Sequence, residues 1–166
     1  MDVKKVKKVA LIVVHHDDEN LWAGGTMLNE PSWQCFVVCL CRKSDNDGGS
    51  KFCNALTILK AKGIMGDLDD GTEQTPILDN EVKETIFQLT PDVHFDLIIT
   101  HNPNGEYTRN LRHEKVSKAV IGLWAAGKLA TRELWTFAYD GGHNPYYPKL
   151  NYSPLPFGIP SKNCRK

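Results

Sequence analysis

The chain has 166 residues, and its 20 lysines and arginines balance its 20 aspartates and glutamates, for a formal net charge of zero. Hydrophobic residues make up 41% and charged residues 24%, the proportions of an ordinary globular domain. Zero net charge argues against a nucleic-acid or anionic-membrane binder that works by bulk electrostatics, and no apolar run approaches the roughly 20 residues that span a bilayer. We therefore expect a single cytoplasmic domain over residues 1–166, with no nucleic-acid and no membrane partner.

Two further features agree with a cytoplasmic location. The basic stretch Lys4–Lys8 before Val9–Val14 resembles the start of a signal peptide, but its apolar run is shorter than the roughly 7–15 residues of a leader and no small-residue cleavage site follows. The five cysteines are odd in number, and three of them lie in one apolar run. This pattern is typical of reduced, buried thiols rather than of disulfides or a zinc finger.

The first predicted elements alternate between strand and helix. Val9–Val14 is a continuous aliphatic run, typical of a strand that is buried on both faces of a parallel sheet. A short helix is predicted over Asn20–Leu28, and Cys35–Cys41 is a second buried strand. Arg42–Ser50 is polar and rich in glycine, so we predict a loop there.

The middle of the chain continues this alternation. A helix that carries Phe52 and Leu59 is predicted to end at Gly63. The stretch Met65–Gly71 is rich in turn-forming residues and leaves room for a very short strand. Asp79 is the predicted N-cap of the next helix.

The last predicted elements are the strand Asp96–Thr100, a helix from about Arg112 to Trp124, and the strand Leu134–Tyr139. A tail from about residue 141 is rich in proline, so we expect it to be irregular. Repeated alternation of strand and helix predicts an α/β fold, a three-layer α/β/α sandwich with a mostly parallel sheet.

Three polar clusters lie at the predicted carboxyl ends of strands or at the start of the following helix. They are His15–Glu19, Thr100–Tyr107 and Asn110–His113. Ligands of open α/β sheets collect at the carboxyl ends of the strands. Because parallel strands bring these ends to one edge, we expect the three clusters to meet.

The first cluster predicts a metal site. Adjacent carboxylates repel one another and favour a nearby cation. His15 and Asp18 are three residues apart, so a turn at a helix start can direct both at one ion, with His113 as a third ligand and open positions for catalysis. Asp17 then points elsewhere and is free to hold a water. The alternative, an acidic helix N-terminus stabilised by the helix dipole, leaves the adjoining histidines unexplained.

These motifs resemble the PIG-L/LmbE-like N-acetylglucosaminyl deacetylase family. The stretch His15–Glu19, followed by Ala23–Thr26, is similar to the family signature His-Pro-Asp-Asp-Glu followed by Gly-Gly-Thr. The stretch Gly105–His113 is similar to the second family motif, a Gly-Glu-Tyr that leads to His-x-x-His. The resemblance covers the chain from about Val9 to Tyr139.

The resemblance implies a Rossmann-like fold and one divalent ion, usually zinc with Fe²⁺ as an alternative, held by His15, Asp18 and His113. It also implies that Asp17 is the general base and that the Tyr107 hydroxyl donates a hydrogen bond to the oxyanion. The implied substrate is an N-acyl amino sugar or a related small conjugate, hydrolysed to a free amine and acetate. A homo-oligomer is compatible with this assignment.

The chain departs from the family pattern at several positions. Asn110 stands where the family has the first His of His-x-x-His, so it offers the oxyanion a neutral donor in place of a charged one. Lys51 stands in place of a family arginine, and it balances negative charge near the substrate without a bidentate contact. His16 replaces the family proline. For His101, at a strand end, the sequence leaves a substrate contact and a structural hydrogen bond equally open.

Other residues near these motifs have simpler interpretations. Asp67, Asp69 and Asp70 are explained by an Asp/Gly turn more simply than by a cation site. Trp22 is typical of a core residue.

Three other functions stay open. The first is a catalytically weakened relative that binds metal and ligand. The second is a non-haem iron oxygenase, since His15 and Asp17 with the distant His113 also fit a 2-His-1-carboxylate set, although such enzymes are usually all-β barrels. The third is a nucleotide-binding α/β domain, which the absence of a G-x-G-x-x-G motif or P-loop disfavours.

Overall fold

The computed structural model describes residues 6–71, 75–105 and 110–137. Within them the strands are β1 (Lys7–Val13), β2 (Trp33–Cys39), β3 (Lys62–Met65), β4 (Phe95–Thr100) and β5 (Thr131–Thr136). A π-helical segment (Glu19–Gly24) continues into α1 (Gly25–Asn29), and the other helices are α2 (Asn46–Leu59), α3 (Asp79–Leu89) and α4 (Leu111–Ala125).

The strands form a five-stranded sheet in the order β3-β2-β1-β4-β5. Every neighbouring pair is parallel, and Ile12 in β1 lies opposite both Val38 in β2 and Thr100 in β4. The chain builds the sheet outward from β1 to β3, then returns to the other side of β1 for β4. Strand order therefore reverses between β1 and β4, which is where open α/β sheets bind ligands.

Alternate residues of β1 face two separate hydrophobic cores. Ala10 and Ile12 pack with α3 and α4 on one face, whereas Leu11 and Val13 pack with α1 and α2 on the other. Successive side chains of a strand point to opposite faces, so a strand between two cores is apolar throughout. These two cores confirm the predicted α/β/α sandwich with a parallel sheet of Rossmann-like order.

The predicted loop Arg42–Ser50 is wrong in its second half. Helix α2 begins at Asn46, because the Asp45 carboxylate accepts the Asp47 N–H at 3.0 Å and so caps the first turn. The predicted end of this helix at Gly63 is also wrong. Lys60 adopts a left-handed conformation with φ of 53° and ends the helix, and Gly63 lies in β3.

Two other boundaries differ from the prediction. The N-cap of α3 is Leu78, which makes no side-chain capping bond, and Asp79 is the first helical residue. Strand β5 begins at Thr131 and ends at Thr136, earlier than the predicted strand. The segment before Leu134 looked polar because β5 is an edge strand, and an edge strand keeps polar side chains in contact with solvent.

No helix among the described residues is long and apolar enough to cross a membrane. The proline-rich tail lies outside the described residues. The structure tests neither the single-domain organisation nor the cytoplasmic location, and both stay predictions.

Candidate metal centre

The turn that follows β1 is closed by the side chain of Asp18, one of its own residues. The His15 N–H donates to Asp18 Oδ2 at 2.8 Å, and the Asp18 N–H donates to the His15 carbonyl at 3.4 Å. The π-helical segment then begins at Glu19. The two residues, three apart in sequence, consequently face the same space, as the spacing predicted.

His113 reaches this space from the first turn of α4. Asn110 is the N-cap of that helix, and its Oδ1 accepts the N–H groups of Arg112 at 3.0 Å and of His113 at 3.2 Å. The cap satisfies amides that a helix start would otherwise leave unpaired. It fixes the backbone that carries His113 at the same sheet edge as His15.

Three side chains that could hold a metal ion converge at this edge, and the atoms that meet are His15 Nδ1, Asp18 Oδ2 and His113 Nε2. The two nitrogens are 3.1 Å apart, and the carboxylate oxygen lies 3.4 Å from the first and 3.5 Å from the second. Zinc bonds of about 2.0–2.2 Å at tetrahedral angles separate neighbouring ligand atoms by roughly 3.3–3.5 Å. The triangle therefore fits one face of a tetrahedral ion.

The other oxygen of Asp18 is engaged by a tryptophan. Trp22 Nε1 donates to Asp18 Oδ1 at 3.2 Å, from a position four residues further along the π-helical segment. The indole ring also packs against the core and lies 6.3 Å from the ring of Phe137. Trp22 is thus half-buried at the border of the core and not one of its fully buried members. Because it binds Oδ1, the other carboxylate oxygen, Oδ2, faces the histidines.

His101 lies fully buried behind the triangle. Its Nε2 accepts the Val14 N–H at 3.2 Å, and its ring stacks on the ring of His113 with centroids 3.8 Å apart. A nitrogen that accepts an amide proton carries none itself, so the neutral ring is assigned its proton on Nδ1. These contacts favour the structural one of the two roles that the sequence left open.

The charges of Asp18 and His15 stabilise each other. Burial by itself would raise the pKa of Asp18, but His101 and His15 against the carboxylate hold that pKa well below its usual range. Because His101 Nε2 already accepts the Val14 amide, we assign this effect chiefly to His15. Burial likewise disfavours a charged His15, yet Asp18 and Asp70 raise its pKa above the ordinary value.

Glu19, the next residue, faces the interior of the protein. It is fully buried, its Oε1 accepts from Asn20 Nδ2 at 3.0 Å, and its Oε2 has no partner within the described part of the chain. Burial raises the pKa of this carboxyl to about 7. Asp17 is exposed, so the acidic run Asp17–Glu19 occupies three different environments.

No sequence prediction placed Asp70 or Arg42 at the site. Asp70 Oδ2 lies 3.1 Å from His15 Nε2, and the same oxygen accepts from Arg42 Nε at 3.0 Å and Nη2 at 2.7 Å. The turn interpretation holds for Asp69, whose Oδ1 accepts the Gly71 N–H at 3.2 Å, but it is incomplete for Asp70. A usable signal existed, because this segment follows a parallel strand, whose carboxyl end lies at the same edge as β1.

Of the other predicted site residues, those that the structure describes do not join the triangle of His15, Asp18 and His113. The Lys51 ammonium lies on α2, 2.6 Å from Asp47 Oδ2, with 63% of its side chain exposed. Tyr107 lies outside the described residues. The catalytic roles of Asp17, Tyr107 and Asn110 and the substrate contact of Lys51 stay predictions.

No protein-family model matches the chain. An uncharacterized protein, L374 of Acanthamoeba polyphaga mimivirus, is 22% identical over 153 residues, which cover 82% of this chain. The chain spans 64% of the length of that relative.

Several solved structures share the fold. N,N'-diacetylchitobiose deacetylase from Pyrococcus horikoshii has a TM-score of 0.56 and 19% identity, and the match covers 72% of this chain and 49% of that enzyme. Teicoplanin deacetylase Orf2, in a zinc-inhibited form, has a TM-score of 0.54 and 13% identity over 75% of this chain and 65% of its own. GalB, the 4-carboxy-2-hydroxymuconate hydratase from Pseudomonas putida KT2440, has a TM-score of 0.55 and 15% identity over 89% and 71%.

At these identities the likeness establishes the fold. Two of these neighbours are deacetylases, and at the level of the fold this likeness agrees with the resemblance that the sequence motifs carry. Since a hydratase is also similar, the reaction has to be argued from the site itself.

Proposed function

We propose that this chain is a metal-dependent hydrolase that removes an acyl group, acetyl in the first instance, from an N-acyl amino sugar or a related small conjugate. The observation that carries the proposal is the triangle of His15, Asp18 and His113 donors, 3.1–3.5 Å apart. The likeness of the fold to two deacetylases supports it. Two imidazoles and one carboxylate in this arrangement suit Zn²⁺ well, with Fe²⁺ as the alternative.

A divalent ion held by these three side chains would supply a Lewis acid, which polarises a carbonyl oxygen and lowers the pKa of water. Asp17 is next to Asp18 in the chain and exposed, so its carboxylate is free to accept the proton of the attacking water. The water oxygen bonds to the acyl carbon, the carbon–nitrogen bond breaks, and Asp17 passes the proton to the leaving amine. The products are a carboxylate and a free amino group.

The oxyanion that forms at the acyl carbon needs hydrogen-bond donors. We assign this role to the Tyr107 hydroxyl and to the side-chain amide of Asn110. Because Asn110 Oδ1 caps α4, Nδ2 is the part of this side chain that an oxyanion could use. Removal of one such donor typically costs on the order of 10²–10³-fold in kcat, so a neutral amide in place of a charged imidazole favours slow turnover.

An iron oxygenase is disfavoured by two observations. The carboxylate that meets the two histidines belongs to Asp18, whereas that hypothesis used Asp17. The sheet is parallel and lies between helices, unlike the β-barrels that usually carry such sites.

Metal analysis combined with an acetate-release assay tests the proposal. We expect one zinc per reconstituted chain and acetate release from N-acetylglucosamine conjugates. Asp17→Asn should keep the ion and slow the reaction roughly 10²–10⁴-fold, the usual contribution of a general base. Asp92→Asn, a change at another exposed aspartate, should leave both unchanged.

Protein that binds no stoichiometric divalent ion contradicts the metal site. Protein that binds zinc and hydrates a muconate-type double bond, but releases no acetate, contradicts the hydrolase while it keeps the metal site.

A further inference from the structure

We propose that Asp70, held in place by Arg42, is a positioning residue that orients His15 towards the metal ion. This inference rests on the proposed metal site. The Asp70 carboxylate is not one of the three proposed ligands. It contacts His15 at the ring nitrogen that faces away from the other two ligands.

The two ring nitrogens of His15 have different neighbours. Nδ1 faces His113 Nε2 at 3.1 Å and Asp18 Oδ2 at 3.4 Å, whereas Nε2 lies 3.1 Å from Asp70 Oδ2. A carboxylate accepts hydrogen bonds and donates none, so Asp70 favours the tautomer whose proton is on Nε2. That tautomer leaves the Nδ1 lone pair directed at the other two donors. Metal-ligating histidines usually have such a partner, which fixes the tautomer and the orientation of the ring.

Arg42 fixes the carboxylate in turn. Its Nε and Nη2 both donate to Asp70 Oδ2, and the Asp70 side chain is only 9% exposed. The backbone of Arg42 has a φ of 65°, a left-handed conformation that is uncommon for a residue other than glycine. Backbone strain of this kind persists where the surrounding structure holds it, often at functional sites. Here the strained residue follows β2 and supplies the guanidinium that binds Asp70.

The backbone that leads to Asp70 is firmly attached to β2. The Gly66 N–H donates to the Cys39 carbonyl at 2.8 Å, and the Leu68 N–H donates to the Leu40 carbonyl at 2.9 Å. A Cβ at Gly66 would lie 2.6 Å from Leu89 Cδ1 and 2.9 Å from the Leu40 carbonyl oxygen. Only glycine allows this close approach. Backbone pairing with the segment after β2 therefore continues beyond the end of β3, and it brings Asp70 to the edge of the sheet where His15 lies.

The neighbouring acid serves as a matched control. Asp69 Oδ2 accepts from Arg112 Nη2 at 3.1 Å, and the Asp69 side chain is 54% exposed. Asp69 and Asp70 thus share a segment and a charge, but only Asp70 contacts a proposed ligand. An effect of Asp70→Asn that Asp69→Asn does not reproduce comes from the contacts of Asp70 with His15 and Arg42 and not from the loss of a negative charge in this segment.

The test measures zinc affinity in competition with a chromophoric chelator for the wild type and for Asp70→Ala, Asp70→Asn, Arg42→Met and Asp69→Asn. We expect Asp70→Ala to bind zinc roughly 10–100-fold more weakly, the usual effect of losing such a partner. Asp70→Asn and Arg42→Met should weaken binding less, and Asp69→Asn should stay within about twofold of the wild type. The visible absorption bands of the Co²⁺-loaded protein should change in Asp70→Ala and not in Asp69→Asn, because they report ligand geometry.

Two results overturn the inference in distinguishable ways. If the wild type binds zinc and both Asp70 variants match Asp69→Asn in affinity and in Co²⁺ spectrum, Asp70 does not position His15 although the metal site stands. If the wild type itself binds no divalent ion, the proposed function fails and the inference fails with it. Should Asp70→Ala not fold, Asp70→Asn, which keeps the size of the side chain, decides the question.

Discussion

Two turns at the same edge of the sheet carry acidic residues and use them differently. The turn after β1 places His15 and Asp18 where they meet His113, within 3.1–3.5 Å of one another. The segment after β3 ends in Asp70, which contacts the far side of the His15 ring. The first turn supplies two of the proposed metal ligands, and the second supplies the residue proposed to position one of them. Residue type and local spacing reveal the donors, whereas the support becomes visible only when the neighbouring strands are in place.

The largest expected effect tests the donor side of this comparison. Asp18→Asn keeps an acceptor for the His15 N–H but replaces an anionic ligand with a neutral amide. We expect zinc affinity to fall by more than the roughly 10–100-fold expected for Asp70→Ala, with acetate release falling in parallel. The chelator competition assay measures the first effect. If Asp18→Asn binds zinc as well as Asp69→Asn does, the Asp18 carboxylate is not a ligand of the ion.

A second prediction concerns Glu19, which shares the first turn but faces the interior. The pKa of its carboxyl is about 7 in the folded protein, against 4.5 for the unperturbed group. Between these values the folded protein keeps a proton that the unfolded chain has released, so the free energy of unfolding decreases as pH rises. This stability is fully present below pH 4.5 and is lost as pH rises through 7.

Glu19→Gln should remove that dependence, because a glutamine does not titrate. We expect the variant to be more stable than the wild type at pH 8, by up to about 3 kcal/mol, and equal to it near pH 4.5. Urea unfolding of the metal-free proteins between these pH values measures the difference. Glu30→Gln, at an exposed position, is the matched control. Parallel pH profiles for the wild type and Glu19→Gln would show that Glu19 ionises normally.

A third, smaller effect is expected at the cap of α4. Asn110→Ala leaves the N–H groups of Arg112 and His113 without their side-chain acceptor, which should destabilise the protein by about 1 kcal/mol. Asn110→Asp keeps an acceptor and should restore the stability. Thermal unfolding measures both variants.

Asn110→His separates the cap from catalysis. If Asn110→His raises turnover while the stability of the protein falls, residue 110 is needed both to cap α4 and to bind the oxyanion, and the two roles favour different side chains. An Asn110→Ala variant as stable as the wild type would show that the cap does not hold this end of α4.

The smallest effect is expected at Lys51. Its pair with Asp47 is exposed and spaced i,i+4 on α2, and such pairs contribute little to stability because solvent and salt screen the two charges. Lys51→Met should therefore leave the unfolding midpoint nearly unchanged. If Lys51 binds substrate, KM rises while kcat is retained, and the same KM in both proteins would remove Lys51 from the site.

The strands and helices show where local patterns suffice. Val9–Val14 and Cys35–Cys41 were recognisable because a strand buried on both faces is apolar throughout. Strand β3 lies almost wholly before the stretch Met65–Gly71, where a very short strand was allowed for. Its position was obscured because it is a short edge strand and contains Gly63, which looks like a helix end. The start of α2 was missed because its first turn is polar and exposed, although Asp45 is a suitable cap.

The sequence by itself predicted the parallel α/β architecture and the convergence of the His15, Asp18 and His113 side chains. The strands follow from the hydrophobic pattern of buried strands, and the pairing of His15 with Asp18 follows from their spacing of three residues. The approach of His113 follows from the parallel topology, which brings the ends of the strands to one edge. Only the tertiary structure decided that Asp70 supports His15 and that Glu19 faces the core. Hydrogen-bond partners and desolvation depend on segments distant in the chain, and these meet only when the sheet has formed.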